Sequence, residues 1–249
     1  MQIGKYEFKP TLIPTLATVL VLPVLIALGF WQLDRAEQKT VILSAVTAKM
    51  NSQTLVAIPN DAEIESAKYQ HIRLQGKFDT QHLIYIDNKV VHGKVGYFVL
   101  SPFLVTTSSK HVLVNLGWIA MGRSRQELPT VSLPTDELEI SGRIKTNVDE
   151  VFALSEKSYD ELTWPLVVQW VSPDQLSIVL NTKIKPLVIL QDKVKKNNAV
   201  ALYEKQFKRD WKFISSSPDT HTSYAMQWFS LAFVLVLIFI GVNTNKLAQ

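Results

Sequence analysis

The stretch His221-Thr222-Ser223-Tyr224-Ala225-Met226-Gln227-Trp228-Phe229 runs without a break into the apolar residues 230–242. No side chain from 222 to 245 is charged, and at ~1.5 Å rise per residue a helix of that run reaches roughly 36 Å, enough for a ~30 Å hydrocarbon core. Polar chemistry is therefore gathered at the mouth of an apolar span. On a helix, His221, Tyr224 and Trp228 stand at i, i+3 and i+7 and share one face, with Gln227 set off to Tyr224's side of it.

Working outward, residues 11–33 form a second run without charge, again long enough to cross a bilayer. We therefore expect transmembrane helices over residues 11–33 and 222–242, with a domain of ordinary size over residues 34–221 between them. The lead before the first span carries Lys5 and Lys9, and the run is longer than a signal-peptide core and lacks a small-residue cleavage site, so it reads as an uncleaved anchor. The lead also lacks the arginines and serines of a mitochondrial transit peptide, which favours a bacterial inner membrane. Two spans place both termini on one side, cytoplasmic by the anchor-like start, and the central domain on the periplasmic side. Pro14 and Pro23 lie inside the first span, and Trp31 and Arg35 mark its exit. The helix is expected to continue beyond it, because Ile42, Val46 and Met50 recur every four residues.

The periodicity then changes to two. Ile72, Leu74, Gly76 and Phe78 alternate with Arg73, Gln75 and Lys77, the pattern of a half-buried strand. Further strands are expected over residues 83–86, 95–105, 111–120, 138–146, 165–171 and 186–190, with turns at Asp87-Asn88 and His92-Gly93 and with Pro102 marking an edge or bulge. Ser172-Pro173-Asp174-Gln175 has the serine cap and first-turn proline of a helix start. Consecutive strands without intervening helices predict a β-rich, antiparallel, barrel- or sandwich-like α+β domain tethered at both ends by membrane helices.

An apolar share of 47% provides a core and argues against disorder, and the absence of cysteine excludes disulfides and thiolate chemistry. Charge is uneven: residues 127–161 hold nine acids against three bases, net −6, and residues 183–212 hold nine bases against three acids, net +6. The basic segment lacks interleaved stacking aromatics, so a nucleic-acid surface is not expected, whereas contact with anionic membrane lipid is open to it.

The exit of the first span and the entry of the second must lie at the same membrane face. That makes Trp31, Gln32 and Arg35 candidate neighbours of His221, Tyr224, Gln227 and Trp228. A neutral imidazole such as His221 can ligate haem iron, and an arginine such as Arg35 can pair with propionates. The plainer alternative is an aromatic belt with a histidine in the head-group zone. His71, His82, His92 and His111 lie at no metal-ligand spacing. No nucleophile elbow, phosphate loop or dinucleotide fingerprint is present, and Ser215-Ser216-Ser217 near His221 reads as a polar linker rather than a nucleophile, so no enzyme activity is expected.

These residues resemble the surfeit locus protein 1 family of cytochrome c oxidase assembly factors. The resemblance rests on Gly29-Phe30-Trp31-Gln32-Leu33-Asp34-Arg35-Ala36 with Lys39, Gly76-Lys77-Phe78, Gly96-Tyr97 with Pro102, Val112-Leu113-Val114-Asn115 with Gly117-Trp118, and the stretch from His221 to Phe229, in that order. The chain departs from the family at Leu116, where an arginine usually precedes the Gly-Trp pair. The resemblance implies a non-enzymatic helper that binds haem a transiently and assists its passage from haem A synthase into the large catalytic subunit of the oxidase, with His221 matching the proposed haem ligand. The alternative is a scaffold that stabilises oxidase subunit intermediates without touching haem.

Overall fold

A computed structural model describes residues 2–3, 5–122, 124, 127–146, 163–170, 172–193, 203, 205–211, 213 and 217–246. The chain divides into two compact units, Met1–Ala45 with Lys212–Gln249, and Val46–Trp211.

The first unit is built on helices. Helix α1 spans Leu12–Met50 and so continues past the first apolar run, as the four-residue recurrence predicts. Helix α2 spans Pro173–Val179 and belongs to the second unit, while α3 spans Pro218–Val242. Pro14 falls in the opening turn of α1, where its missing N–H costs nothing; Pro23 lies in the interior of the same helix. Ser217 caps α3, its hydroxyl accepting from the Asp219 amide. In the apolar windows of α1 and α3 only 6% and 11% of residues are buried, which a core helix of a soluble protein would not tolerate. Their outward apolar faces are those of membrane spans.

Small residues bring the two spans together. Gly29 of α1 is packed against the Phe229 ring so closely that an added Cβ would stand 2.5 Å from it, and Ala225 and Ala232 of α3 are buried. The far ends of the spans are tied by a three-stranded sheet of β1 (Gln2–Ile3), β2 (Tyr6–Phe8) and β10 (Thr244–Lys246). Asn243, 1% exposed, is the junction: its side-chain carbonyl accepts from the Thr11 amide at 2.7 Å and its NH2 donates to Phe239 O at 2.7 Å. One side chain thus ties the start of α1 to the last turn of α3.

The second unit is a barrel. Its strands are β3 (His71–Phe78), β4 (Ile84–Val91), β5 (Lys94–Val105), β6 (Lys110–Ala120), β7 (Leu138–Lys145), β8 (Leu166–Val168) and β9 (Ile184–Gln191), paired in the order β3-β7-β9-β6-β5-β4-β8. The additional β3–β5 pairing closes five of them into a ring, with β4 and β8 as a flap on β5. Most ladders are antiparallel, as expected, but β6–β9 and β4–β8 run parallel. Gly76 is the corner of the ring. It pairs with Val105 on one side and Leu138 on the other, and a Cβ there would overlap the Leu104 carbonyl oxygen and stand 2.7 Å from the Phe103 ring.

Inside the ring Phe103, Val112, Val114, Leu116, Ile144, Leu187 and Ile189 are sealed from water. Phe78 meets Phe103 edge to face at 5.0 Å. Pro102 sits where β5 exchanges neighbours, between Leu100, the last residue paired with β4, and Phe103, the first paired with β3. Its lost donor falls at the changeover, and its carbonyl is used by the Asp79 amide at 2.9 Å. One expected turn is not a turn: Asp87-Asn88 is a bulge in β4, with Asn88 at φ 60°, and the chain reverses only at His92-Gly93, both at positive φ. Two consecutive positive φ values make this the hairpin turn whose twist matches the strands.

Candidate functional site

The polar cluster at the mouth of the two spans lies within the helical unit. Gln32, near the end of the apolar part of α1, meets His221 in the first turn of α3: His221 Nδ1 and Gln32 Oε1 are 2.9 Å apart. The amide oxygen can only accept, so Nδ1–H donates to it and the ring is held with Nε2 turned away from Gln32. His221 is half-buried and keeps an open edge. A ligating imidazole requires two of these properties: it is oriented, and among the described residues its second nitrogen has no hydrogen-bond partner.

The remaining candidates do not converge on that nitrogen. At 100° per residue, Trp228 lies near the buried Ala225–Ala232 line of α3, Tyr224 roughly a quarter-turn away, and Gln227 on the opposite half of the helix. Tyr224 and Gln227 are exposed accordingly. On α1, Trp31 and Arg35 occupy the half facing away from Gly29 and Ala36, where the Arg35 guanidinium lies 5.8 Å over the Trp31 ring and donates to Gln38 Oε1 at 3.0 Å. Sequence reasoning brought the two span ends together but did not resolve which helix faces meet. Gly29 was the available signal, since glycine in a span marks close approach.

One turn deeper there is no slot between the helices. Phe229 fills the space above Gly29 and stacks edge to face on Phe30 at 5.4 Å. A porphyrin cannot enter there. A flat ligand would instead have to approach the half-buried edge of His221 from outside the helix pair, with Tyr224 and Trp228 one and two turns further along α3.

The other histidines serve the barrel unit. His71 bridges Thr54 Oγ1 at 3.1 Å and Asp192 Oδ2 at 2.8 Å, and His82 bonds Asp79 Oδ2 at 2.6 Å. His92 forms the hairpin turn. Among the described residues no group of three or more histidine or acidic side chains stands close enough to hold a metal ion. Ser215 and Ser216 lie outside the described residues, as do parts of the acidic and basic segments; Ser217 is spent on capping α3.

The sequence signature of the SURF1 family matches residues 19–233 of the chain. The chain belongs to that family. A "SURF1-like protein" of Rickettsia felis is 25% identical over 94% of this chain and 98% of its own length. "Surfeit locus protein 1" of Takifugu rubripes is 26% identical over 47% of the chain and 55% of the fish protein. The "Cytochrome oxidase assembly protein SHY1" of Saccharomyces cerevisiae is 27% identical over 44% of the chain and 30% of the yeast protein.

Within the SURF1 family frame, the Asn115–Trp118 stretch acquires a structural reason. Val99 pairs with Gly117 and Leu100 with Asn115, so Leu116 is the extra residue of a bulge. Gly117, at φ +131°, has Phe207 Cβ at 2.8 Å from where its own Cβ would be. Leu116 itself is fully buried in the ring, so it offers no charge. A guanidinium nonetheless stands there: buried Arg209 donates from Nε to the Leu116 carbonyl and from Nη2 to Gln191 Oε1 at 3.2 Å. This arginine was not singled out from sequence, because only the fold brings residue 209 to residue 116.

Proposed function

We propose that this protein helps to assemble a haem-copper cytochrome c oxidase from within a bacterial inner membrane, presenting haem a to the large catalytic subunit with His221 as its transient axial ligand. The observation that carries the reading is the His221–Gln32 hydrogen bond, which orients the imidazole and, among the described residues, leaves Nε2 without a partner at the mouth of the helix pair. Membership in a family whose yeast relative is named an oxidase assembly protein supports the assembly role. Haem a is cargo here, received from haem A synthase, and the protein supplies a nitrogen and an aromatic flank while catalysing nothing. An open-edged site suits a carrier, since a ligand gripped on one side can be handed on. The domain on the periplasmic side and cytoplasmic termini complete the proposal.

The test is an absorption spectrum of the full chain purified from cells that make haem A. A Soret band in wild type, reduced at least fivefold in His221→Ala and shifted or weakened in Gln32→Leu, is expected. A wild-type protein without haem, or a His221→Ala protein that retains it, overturns the reading.

A scaffold without haem is favoured by a different observation: Trp31, Arg35 and Gln227 face outward from the helix pair, where a partner's helix could meet them. This reading expects His221→Ala to support normal oxidase assembly and Trp31→Ala with Arg35→Ala to impair it. Gly117 does not discriminate, because substituting it disturbs the barrel itself.

A further inference from the structure

The barrel unit carries a concave basic site that the oxidase reading does not use. A cavity of about 570 Å³ lies where three connections converge: the approach to the short 3-10 helix at Asp61–Glu63, the β5–β6 turn, and the loop leading into β9. Lys110, Lys183 and Lys185 line it together with His111 and Asp61. Lys110 lies far in sequence from Lys183 and Lys185, which open the basic segment noted above. Tight turns hold them together, with Ser109 at φ 51° and Asn181 at φ 47°.

At the base of the cavity Lys185 is 6% exposed, and its ammonium is paired with the Asp61 carboxylate. Lys110 and Lys183 stand at the rim, exposed, and make no ion pair among the described residues. The three ammonium groups act on one point. The Asp61 carboxyl is held below its ordinary value of 3.8, first by its bond to Lys185 and further by the charges of Lys183 and Lys110. Burial pushes the His111 imidazole below 6.5, so at neutral pH it adds a hydrogen-bonding ring rather than a further charge. Three positive charges against one negative leave the concavity cationic, and a concave wall focuses that field.

We propose that this cavity binds a phosphate group, taken from a small free phosphate compound or from a lipid head group. The chemistry favours phosphate over a planar carboxylate. Lysines act as point charges that suit a tetrahedral oxyanion, whereas paired recognition of carboxylates is the province of arginine, and none lines the cavity. The hydroxyls of Ser109 and Thr182 add neutral donors at the same wall. The volume falls in the range of small-molecule sites, roughly 300–1,000 Å³. Asp61 already gives one anion's worth of oxygen to Lys185, and the two rim lysines remain to be neutralised by a ligand.

The experiment uses the full chain in uncharged detergent, titrated calorimetrically at low ionic strength with inorganic pyrophosphate and, separately, with dihexanoyl-phosphatidylglycerol. Saturable one-site binding of either probe is expected, weakened at least tenfold by the pair Lys110→Gln and Lys183→Gln. Pyrophosphate binding alone identifies a free phosphate compound as the source; phosphatidylglycerol binding alone identifies a head group. Asp61→Asn removes the built-in competitor for Lys185, so affinity should rise at least threefold. Absence of saturable binding at millimolar probe overturns the proposal, as does undiminished affinity in the double lysine variant. The double lysine variant replaces exposed groups and should melt like wild type, whereas Asp61→Asn leaves the buried Lys185 ammonium without its carboxylate and should melt lower, a retained cooperative transition confirming that it is folded.

Discussion

In the barrel, Phe103, Val112, Val114 and Leu116 are sealed from water, whereas in the helix pair Leu12, Ile13, Leu231 and Phe233 stand open on the outer faces. Both regions are rich in the same side chains, so composition does not separate them; geometry does. A strand buries alternate residues against its own sheet, and the ring formed by β3, β7, β9, β6 and β5 leaves no free edge. A single apolar helix can bury only a stripe, and two such helices leave most of their surface to a lipid solvent. The barrel is therefore held by many apolar contacts around a closed ladder. The helix pair rests on a few points: Gly29 against Phe229, two buried alanines, the His221–Gln32 bond and the Asn243 junction.

The contrast can be broken most forcefully in the barrel. Gly76→Ala places a methyl group on the Leu104 carbonyl and the Phe103 ring at the corner where β3 turns from β7 to β5. A loss of about 3 kcal/mol or more is expected, the order of severe overpacking, read as an earlier chemical unfolding midpoint of the barrel with α1 and α3 helicity retained. Loss of helical signal in the same transition would show that the two regions are one cooperative unit.

The next effect lies in the helix pair. Asn243→Ala leaves the Thr11 amide without its partner and the Phe239 carbonyl with only the backbone amide of residue 243, a cost of about 1–3 kcal/mol. Amide exchange at Thr11 and along β2 should quicken while barrel amides keep their protection; equal quickening in β6 would refute the separation.

The smallest effect is a titration confined to the barrel. Burial pushes the Tyr85 phenol up to about 12, and its hydroxyl donates to the Pro129 carbonyl at 2.7 Å. The folded value lies above the ordinary 10, so this contribution to stability is complete below pH 10 and is lost as pH rises toward about 12. Absorbance at the phenolate band should show a late-titrating tyrosine that disappears in Tyr85→Phe, and alkaline unfolding should become less steep. Retention of the late step in that variant would assign it elsewhere.

How much was legible follows from the range of the forces involved. The alternation from Ile72 to Phe78 and the uncharged runs are local patterns, and they read correctly as strand and span. The parallel placement of β9 beside β6 has no local signature, because it is decided by which apolar faces remain uncovered once β5 and β6 have paired. Asp87-Asn88 carries turn chemistry but its strand continues, since a bulge asks for the same residue types. At the site, the meeting of His221 with Gln32 followed from topology; the outward direction of Trp31, Arg35 and Gln227 required knowing the line along which the helices touch.

The ring has an order in time as well as in space. Strand β9 is the last of its five members to leave the ribosome, yet its place is between β6 and β7. Until residue 191 has been made, β6 and β7 each present a bare backbone edge, and the ring cannot shut behind β3. The nascent chain thus carries two unfilled edges from the completion of β7 at residue 145 to that of β9 at residue 191, the interval in which strand-capturing chaperones would find it.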